Sequence, residues 1–236
     1  MIWMRRMHVI NWMYYGEQTI DWDRSNLLTG ITGSGKSSLI DALQVVILGE
    51  TSRFFNRSAT GTKSERNLAT YLRGKFHDSE YKRPDKAFSS YLTVDFFDEL
   101  NQEKFCYGVV FDISEDNNIE KDFFYIPRAF QKEWALKGCG KRAAARSRGE
   151  FKKYMKELAV AVKPLSVGEY KQDLLHRLGI YDEHFFQVFR TAVAYVPLNN
   201  IEDFIVQNIC HMEDTIDVPK MRTAIHEYHR MQRDMT

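Results

Sequence analysis

The sequence predicts an α/β fold with a mixed β-sheet and an antiparallel β-meander, which leads into a coiled coil at its C-terminal end. Three observations support this prediction. A glycine-rich motif lies between a short apolar segment and a helical pattern within residues 26–48. Two alternating apolar segments with a polar turn between them occupy residues 91–113. From residue 218 onward, apolar residues recur at alternating spacings of three and four.

The composition is that of a folded protein of 236 residues. Hydrophobic residues make up 44% and charged residues 28%, which excludes a disordered or collagen-like chain. The 33 basic and 32 acidic side chains nearly balance, so any nucleic-acid surface must be local. The three cysteines form no CxxC pair, which fits a reducing compartment. Apolar runs such as Val45 to Leu48 are too short to cross a membrane, so we expect a cytoplasmic protein with no membrane partner.

The most informative motif is a complete G-x-x-x-x-G-K-[ST] sequence, the Walker A motif, from Gly30 to Ser37. Residues 26–29 before it predict a short buried strand, and Ser37 to Leu48 after it predicts a helix. Glycines let the backbone turn its N–H groups towards a polyphosphate, and the helix N-terminus adds positive potential. The predicted nucleotide-binding residues are Gly30, Ile31, Thr32, Gly33, Ser34, Gly35, Lys36, Ser37 and Ser38.

Two side chains of this motif have predicted chemical roles. We expect Lys36 to reach the β- and γ-phosphates of ATP as the catalytic residue, and the Ser37 hydroxyl to ligate the Mg²⁺ that accompanies ATP. Hydrolysis also needs a carboxylate at the end of a second strand. Asp95 resembles such a Walker B residue, but its alternating segment and residues 104–113 favour an antiparallel hairpin with Asp95 on the solvent face. Residues 123–126 predict a further strand.

The motif and the residues around it resemble the N-terminal head segment of SMC-like ABC ATPases, the group that contains SMC, SbcC and MukB proteins. The resemblance begins with the Ser-Leu-Ile-Asp-Ala-Leu-Gln sequence at residues 38–44. Residues 53–59 and 64–74, together with the Ile-Asn-Trp sequence at residues 10–12, are similar to the JetC branch. JetC proteins are the MukB-like motors of the Wadjet anti-plasmid defence systems.

This resemblance implies an N-terminal lobe of an ABC-type ATPase head at residues 1–215 and the start of a coiled-coil arm at residues 216–236. It implies ATP and Mg²⁺ as cofactors, and ATP hydrolysis in a dimer of complete heads, with this chain alone largely inactive. The signature motif, the Walker B strand and the catalytic glutamate would then lie outside this chain. The Q-loop ligand stays unassigned, because a glutamine is expected directly after a strand, whereas Gln187 precedes the candidate strand and Gln207 follows it by many residues.

The resemblance also implies a biological context. The work of the motor would be DNA translocation or loop extrusion, as in condensin-like complexes, in a bacterial cytoplasm in association with the nucleoid or with plasmids. The implied partners are a second head in a homodimer, kleisin-type and KITE-type subunits, a nuclease subunit, and double-stranded DNA bound independently of its sequence.

Two basic runs are the candidate DNA contacts, because non-specific binding depends on phosphate contacts. A solvated surface that binds nothing explains either run equally well. The candidate residues are Arg53, Arg57, Lys63, Arg66, Arg73, Lys75, Lys141, Arg142, Arg146 and Arg148.

Two capping boxes predict helices in the second half of the chain. Ser147 with Glu150 begins one helix, and Ser166 with Glu169 begins another that ends at Gly179. We expect both helices to pack against the sheet.

The sequence leaves three alternatives to the JetC-like motor open. The first is a DNA repair ATPase of the SbcC type. The second is a self-contained P-loop phosphotransferase that uses Asp95 to hold Mg²⁺. The third is a scaffold that binds ATP and catalyses no reaction. The second alternative requires Asp95 on a parallel strand beside the P-loop, whereas a head lobe places it in an antiparallel sheet away from Lys36.

Overall fold

The computed structural model describes residues 1–51, 67–77, 80–84, 86–138, 143–182 and 184–193. All of them lie in the first of two compact units of the chain, Met1–Tyr195. The second unit, Val196–Thr236, lies outside the described residues. The predicted domain boundary after residue 215 and the predicted coiled-coil arm at residues 216–236 fall in that unit and stay predictions.

A six-stranded sheet forms the centre of the described fold. Its strands, in spatial order, are β10 (Lys163–Leu165), β7 (Ile119–Ile126), β6 (Glu103–Ile113), β5 (Phe88–Asp98), β1 (Ile2–Trp12) and β2 (Tyr15–Asp21). Every pair of neighbours in it is antiparallel. The prediction of a mixed sheet is therefore wrong for the strands that the structure describes.

Six helices and two short two-stranded ribbons complete the described part of the chain. The helices are α1 (Lys36–Leu48), α2 (Leu68–Arg73), α3 (Lys132–Ala135), α4 (Arg148–Glu157), α5 (Val167–Leu178) and α6 (His184–Val193). The ribbons pair β3 (Lys75–His77) with β4 (Glu80–Tyr81) and β8 (Leu136–Lys137) with β9 (Ala144–Ala145).

Both faces of the sheet are covered, and each face has its own helices. On the first face, Leu92 of β5 belongs to one apolar cluster with Val45 of α1 and Tyr170 of α5. On the second face, Tyr91 of β5 belongs to another cluster with Phe151 of α4. Successive side chains of a strand point to opposite faces, which separates the two clusters. Helices α1 and α4 therefore lie on opposite sides of the sheet.

The predicted meander is confirmed. Strands β5 and β6 pair along their full length, from the Phe88–Ile113 pair to the Asp98–Glu103 pair, and β7 adds the expected further strand. The predicted helices with capping boxes are confirmed as α4 and α5, and in each the serine side chain accepts the N–H of the glutamate three residues later. Local capping chemistry determines where these helices begin.

The expected position of Asp95 on the solvent face is wrong. Asp95 is only 2% exposed and lies on the second face of the sheet, beneath the segment that precedes α3. Its Oδ1 accepts the backbone N–H of Phe130 at 2.8 Å, and its Oδ2 lies 3.8 Å from Nε2 of His8. The alternating pattern identified the strand correctly, but it did not reveal that a later segment covers this face.

The strand predicted at residues 26–29 is also absent. These residues have no regular secondary structure, and Leu27 is 85% exposed. The side chain of Asn26 instead accepts the N–H of Asp23 at 2.9 Å, which closes a local turn. A strand needs a hydrogen-bonded neighbour, and no strand in the described ranges lies beside this segment.

Candidate nucleotide-binding site

The Walker A loop connects this irregular segment to the first turn of α1. Gly35 is the N-cap of the helix and has φ +95°, and Gly33 has φ +83°. These left-handed conformations are strained for residues with a Cβ atom, so the glycines allow a turn that other residues resist. The predicted helix after the motif is confirmed, since α1 begins at Lys36 and ends at Leu48.

The start of α1 has the properties of an anion site. The first N–H groups of a helix have no partner within the helix, and its dipole places positive potential at this end. No side chain caps α1, and its first turn contains no acidic residue. The Ser37 hydroxyl is exposed at the same turn. The backbone amides of this turn are thus arranged as a phosphate-binding site requires.

The ammonium group of Lys36 lies against the loop. Its Nζ donates to the carbonyl oxygen of Gly30 at 2.7 Å and to that of Ile31 at 2.9 Å, and it lies 3.4 Å from Oγ of Ser34. These are neutral oxygens on a loop whose residues are mostly exposed. Phosphate oxygens carry a full charge and form stronger hydrogen bonds with an ammonium group, so they would displace these partners.

The β1–β2 hairpin supports the loop from beneath. The hydroxyl of Tyr15 donates to the carbonyl oxygen of Gly35 at 3.2 Å, and partial burial raises the pKa of this phenol. The indole Nε1 of Trp12 donates to the carbonyl oxygen of Ser38 at 2.8 Å. The sequence alone did not predict this role for either aromatic residue, and Trp12 contributed there only to a family resemblance. The sequence feature that could have indicated this support is the pair of aromatic residues at the turn between β1 and β2.

A buried contact also links α1 to α2. Oδ2 of Asp41, inside α1, accepts a hydrogen bond from the Tyr71 hydroxyl at 2.5 Å. The Tyr71 ring packs on Trp12 with 5.0 Å between ring centroids, and its carbonyl oxygen accepts the N–H of Met13 at 2.7 Å. Tyr71 therefore joins α1 to the same hairpin turn that supports the P-loop.

Arg73 and Arg83 have structural roles near this turn. Arg73, a predicted DNA contact, is only 5% exposed and donates to the carbonyl oxygens of Ser114 at 2.7 Å and Pro84 at 2.8 Å. Its guanidinium cannot meet a DNA backbone from this position, so that prediction is wrong for Arg73. Arg83 donates to the carbonyl oxygen of Met13 at 2.6 Å, and burial lowers its pKa to about 10.

Of the other predicted DNA contacts, three lie in the described structure and six lie outside it. Arg146 donates to the carbonyl oxygen of Glu133 at 2.9 Å and lies 3.9 Å from the centroid of the Tyr154 ring. Arg148 pairs with Asp122 at 3.0 Å, and Lys75 belongs to β3. Six predicted contacts lie outside the described residues, namely Arg53, Arg57, Lys63, Arg66, Lys141 and Arg142.

Of the two glutamines considered for the Q-loop, Gln187 does not lie at the site. Gln187 belongs to α6, whose Phe186 packs with Leu48 at the C-terminal end of α1. That end is about 18 Å along the helix axis from Lys36, at 1.5 Å per residue. Gln207 lies outside the described residues. The Q-loop ligand remains unassigned.

Comparison with known families agrees with this geometry. Residues 4–62 match the family model described as the P-loop containing region of AAA domain. The match supports a P-loop ATPase-like domain in this part of the chain. The matched range covers the β1–β2 hairpin, the Walker A loop and α1, which are the elements that form the candidate site. No curated protein matches the chain.

The match bears on the cofactor and on the class of reaction. A P-loop domain implies that a nucleotide binds, usually with Mg²⁺, and it is consistent with nucleotide hydrolysis. The residues present fit these groups, because the α1 N-terminus, Lys36 and the Ser37 hydroxyl are all accessible at the loop. Within the described residues, no helix is long and apolar enough to cross a membrane.

Proposed function

We propose that this chain is the ATP-binding N-terminal head lobe of an SMC-like DNA motor, most similar to JetC proteins. In this proposal, ATP binding and hydrolysis between two heads drive DNA translocation or loop extrusion in defence against plasmids. The observation that carries the proposal is a Walker A loop on an antiparallel sheet, with its helix α1 on one face and no parallel strand among the described residues. Such a lobe binds phosphate but needs further groups for hydrolysis.

The position of Asp95 argues against a self-contained phosphotransferase. That function requires a carboxylate beside Ser37 to hold Mg²⁺. Asp95 is in the antiparallel strand β5, paired with β1 and β6, and its side chain is on the face opposite α1. Its Oδ1 is also occupied by the N–H of Phe130. The proposal therefore assigns the catalytic carboxylate to another part of the assembly.

Each part of the site has one task in this proposal. The amides at the start of α1 hold the β- and γ-phosphates, Lys36 exchanges its two carbonyl partners for phosphate oxygens, and Ser37 ligates Mg²⁺. A second head supplies the signature motif. Kleisin-type, KITE-type and nuclease subunits and double-stranded DNA are the proposed partners. A DNA repair ATPase of the SbcC type uses the same lobe and is the alternative within this class.

Nucleotide titration tests the first step. We expect the chain to bind a fluorescent ATP analogue in the presence of Mg²⁺, and Lys36→Ala to lower the affinity by at least about tenfold, since a charge-assisted contact is lost. The matched control is Lys104→Ala, an exposed lysine of β6 far from the loop, which should not change affinity. Equal affinities of the wild-type chain and Lys36→Ala would contradict the assigned site.

Turnover tests the second step. We expect the chain alone to release little phosphate from ATP, because Asp95, the carboxylate that the sequence offered for a Walker B role, lies on the face of the sheet opposite α1. Addition of the remaining part of the head should produce turnover that Lys36→Ala abolishes. Rapid turnover by the chain alone that depends on Lys36 would overturn the head-lobe proposal and favour a self-contained enzyme.

A further inference from the structure

A cavity of about 310 Å³ opens between the second face of the sheet and α4. Its floor is formed by Val110 of β6 and Phe124 of β7, and its wall by Phe151 and Met155 of α4. Pro164 of β10 also lines the cavity. The volume is at the lower end of the range of small-molecule sites, and these sites are lined mainly by apolar side chains, as this one is. The cavity lies on the face opposite α1 and is separate from the nucleotide site.

The charged groups of the lining leave one positive charge without a partner. The cavity is lined by one carboxylate, Asp122, and by two ammonium groups, Lys152 and Lys156. Oδ2 of Asp122 lies 2.8 Å from Nζ of Lys152, and its Oδ1 is 3.0 Å from Arg148. Lys156 is exposed on α4 and forms no ion pair within the described part of the chain. An occupant with a single acid group would therefore complement the lining.

The adjacent sheet edge does not favour an added peptide strand. Strand β10 has three residues, and its central residue, Pro164, lies opposite Phe124. Proline has no N–H group, and within sheets it is confined mainly to edge strands with its nitrogen towards the open side, so Pro164 offers no backbone donor there. The edge thus lacks the donor that β-strand addition uses at this position. A compact occupant that enters the cavity fits better than an extended chain along it.

We propose that this cavity binds a small amphipathic monoanion. The apolar body of the ligand lies between Phe124 and Met155, where it removes apolar surface from water. The acid group, a carboxylate or a comparable anion, lies at the mouth and pairs with Lys156. The site is independent of the proposed ATPase function, because no residue of the P-loop or of α1 contributes to it.

Calorimetric titration of the chain with decanoate tests this proposal. Decanol and decylammonium are the neutral and cationic comparison ligands of the same chain length. We expect saturable binding, with the affinity highest for decanoate, lower for decanol and lowest for decylammonium. Lys156→Glu should weaken decanoate binding by about tenfold and leave decanol binding unchanged, because only the charged contact is reversed. The matched control is Lys153→Glu, an exposed lysine of α4 outside the lining, which should not affect either ligand.

A second variant tests the cavity itself. Val162→Phe places a larger side chain into the lining and should abolish binding of both decanoate and decanol. Its far-ultraviolet circular dichroism and ATP-analogue affinity should match those of the unmodified chain, which shows that the fold is intact. The proposal is overturned if decanoate does not bind, if decylammonium binds as tightly, if Lys153→Glu and Lys156→Glu have equal effects, or if the folded Val162→Phe variant still binds decanoate.

Discussion

The hydroxyl of Tyr15 lies 3.2 Å from the carbonyl oxygen of Gly35, the residue that caps the P-loop helix. This contact joins the end of a hairpin to the point where the loop becomes a helix. A Cβ atom on Gly35 would lie 2.7 Å from the same phenolic oxygen. Tyr15 therefore stabilises the loop while it also restricts position 35 to glycine.

The first prediction concerns this hydrogen bond. Tyr15→Phe should weaken binding of the ATP analogue by about two- to tenfold, because the loss of one hydrogen bond costs about 0.5–1.5 kcal/mol. Fluorescence titration measures the change. Tyr181→Phe is the matched control, since Tyr181 is 93% exposed and should not alter affinity. An unchanged affinity in Tyr15→Phe would show that the hairpin does not influence the loop.

The second prediction compares two buried indoles. Nε1 of Trp12 donates to the Ser38 carbonyl oxygen at 2.8 Å, whereas Nε1 of Trp22 has no hydrogen-bond partner within the described residues. Phenylalanine removes similar volume at both positions, but it removes a hydrogen bond only at Trp12. We expect Trp12→Phe to lower the free energy of unfolding by about 1–2 kcal/mol more than Trp22→Phe does. Urea denaturation of both variants measures this difference, and equal losses would contradict the assigned role of Trp12.

The third prediction compares a glycine in a tightly packed position with a glycine that has open space beside it. A Cβ on Gly108, in the middle of β6, would lie 2.7 Å from Cγ2 of Thr93 and 2.8 Å from Cζ of Phe124. Gly108→Ala should therefore destabilise the protein by about 1–3 kcal/mol. Gly149, in α4, has open space at the same position, so Gly149→Ala should stabilise the protein by about 0.5–1 kcal/mol. Thermal unfolding should show shifts of opposite sign, and a stable Gly108→Ala variant would mean that the sheet is packed less tightly than described.

The fourth prediction concerns stability at acid pH. Burial raises the pKa of Asp173, but hydrogen bonds from Tyr107 and Arg177 outweigh this effect and hold the pKa below its ordinary value. A carboxyl group with a lowered pKa in the folded state stabilises the protein above its unfolded-state pKa, and this contribution is lost as the pH falls through the folded-state pKa. Asp173→Asn should thus be destabilising near pH 7, and the difference from the unmodified chain should shrink below about pH 4.

Urea denaturation at neutral and acid pH measures this effect. Asp116→Asn is the control, because Asp116 is exposed and its side chain makes no hydrogen bond in the described ranges. Its stability should follow that of the unmodified chain at both pH values. A difference between Asp173→Asn and the unmodified chain that stays constant with pH would exclude the carboxylate as its source.

Local elements could be predicted well because their determinants are adjacent in sequence. Helix α1 follows from the glycines and the apolar pattern after Gly35, and α4 follows from the reciprocal hydrogen bonds of Ser147 and Glu150. The β5–β6 hairpin follows from alternation on either side of a polar turn. In each case the interacting groups lie within a few residues, or in strands joined by one short turn.

Contacts between distant segments could not be predicted in the same way. Asp95 is buried because the segment around Phe130, 35 residues later, covers it and donates a backbone N–H to its carboxylate. Arg73 looked like part of a basic surface, but carbonyl oxygens of two later segments surround its guanidinium. Nothing in the residues beside Asp95 or Arg73 indicates these partners, since the partners come from other parts of the chain.

The amino-acid order alone thus specifies a glycine loop that leads into a helix, because those backbone conformations depend on neighbouring residues. Only the three-dimensional arrangement decides that Tyr15 and Trp12 support that loop, that the sheet is antiparallel throughout its described strands, and that Asp95 faces away from α1. The burial of a side chain, the pairing of strands and the sheet face that a residue occupies all depend on contacts between distant segments. Such contacts form only when the chain folds.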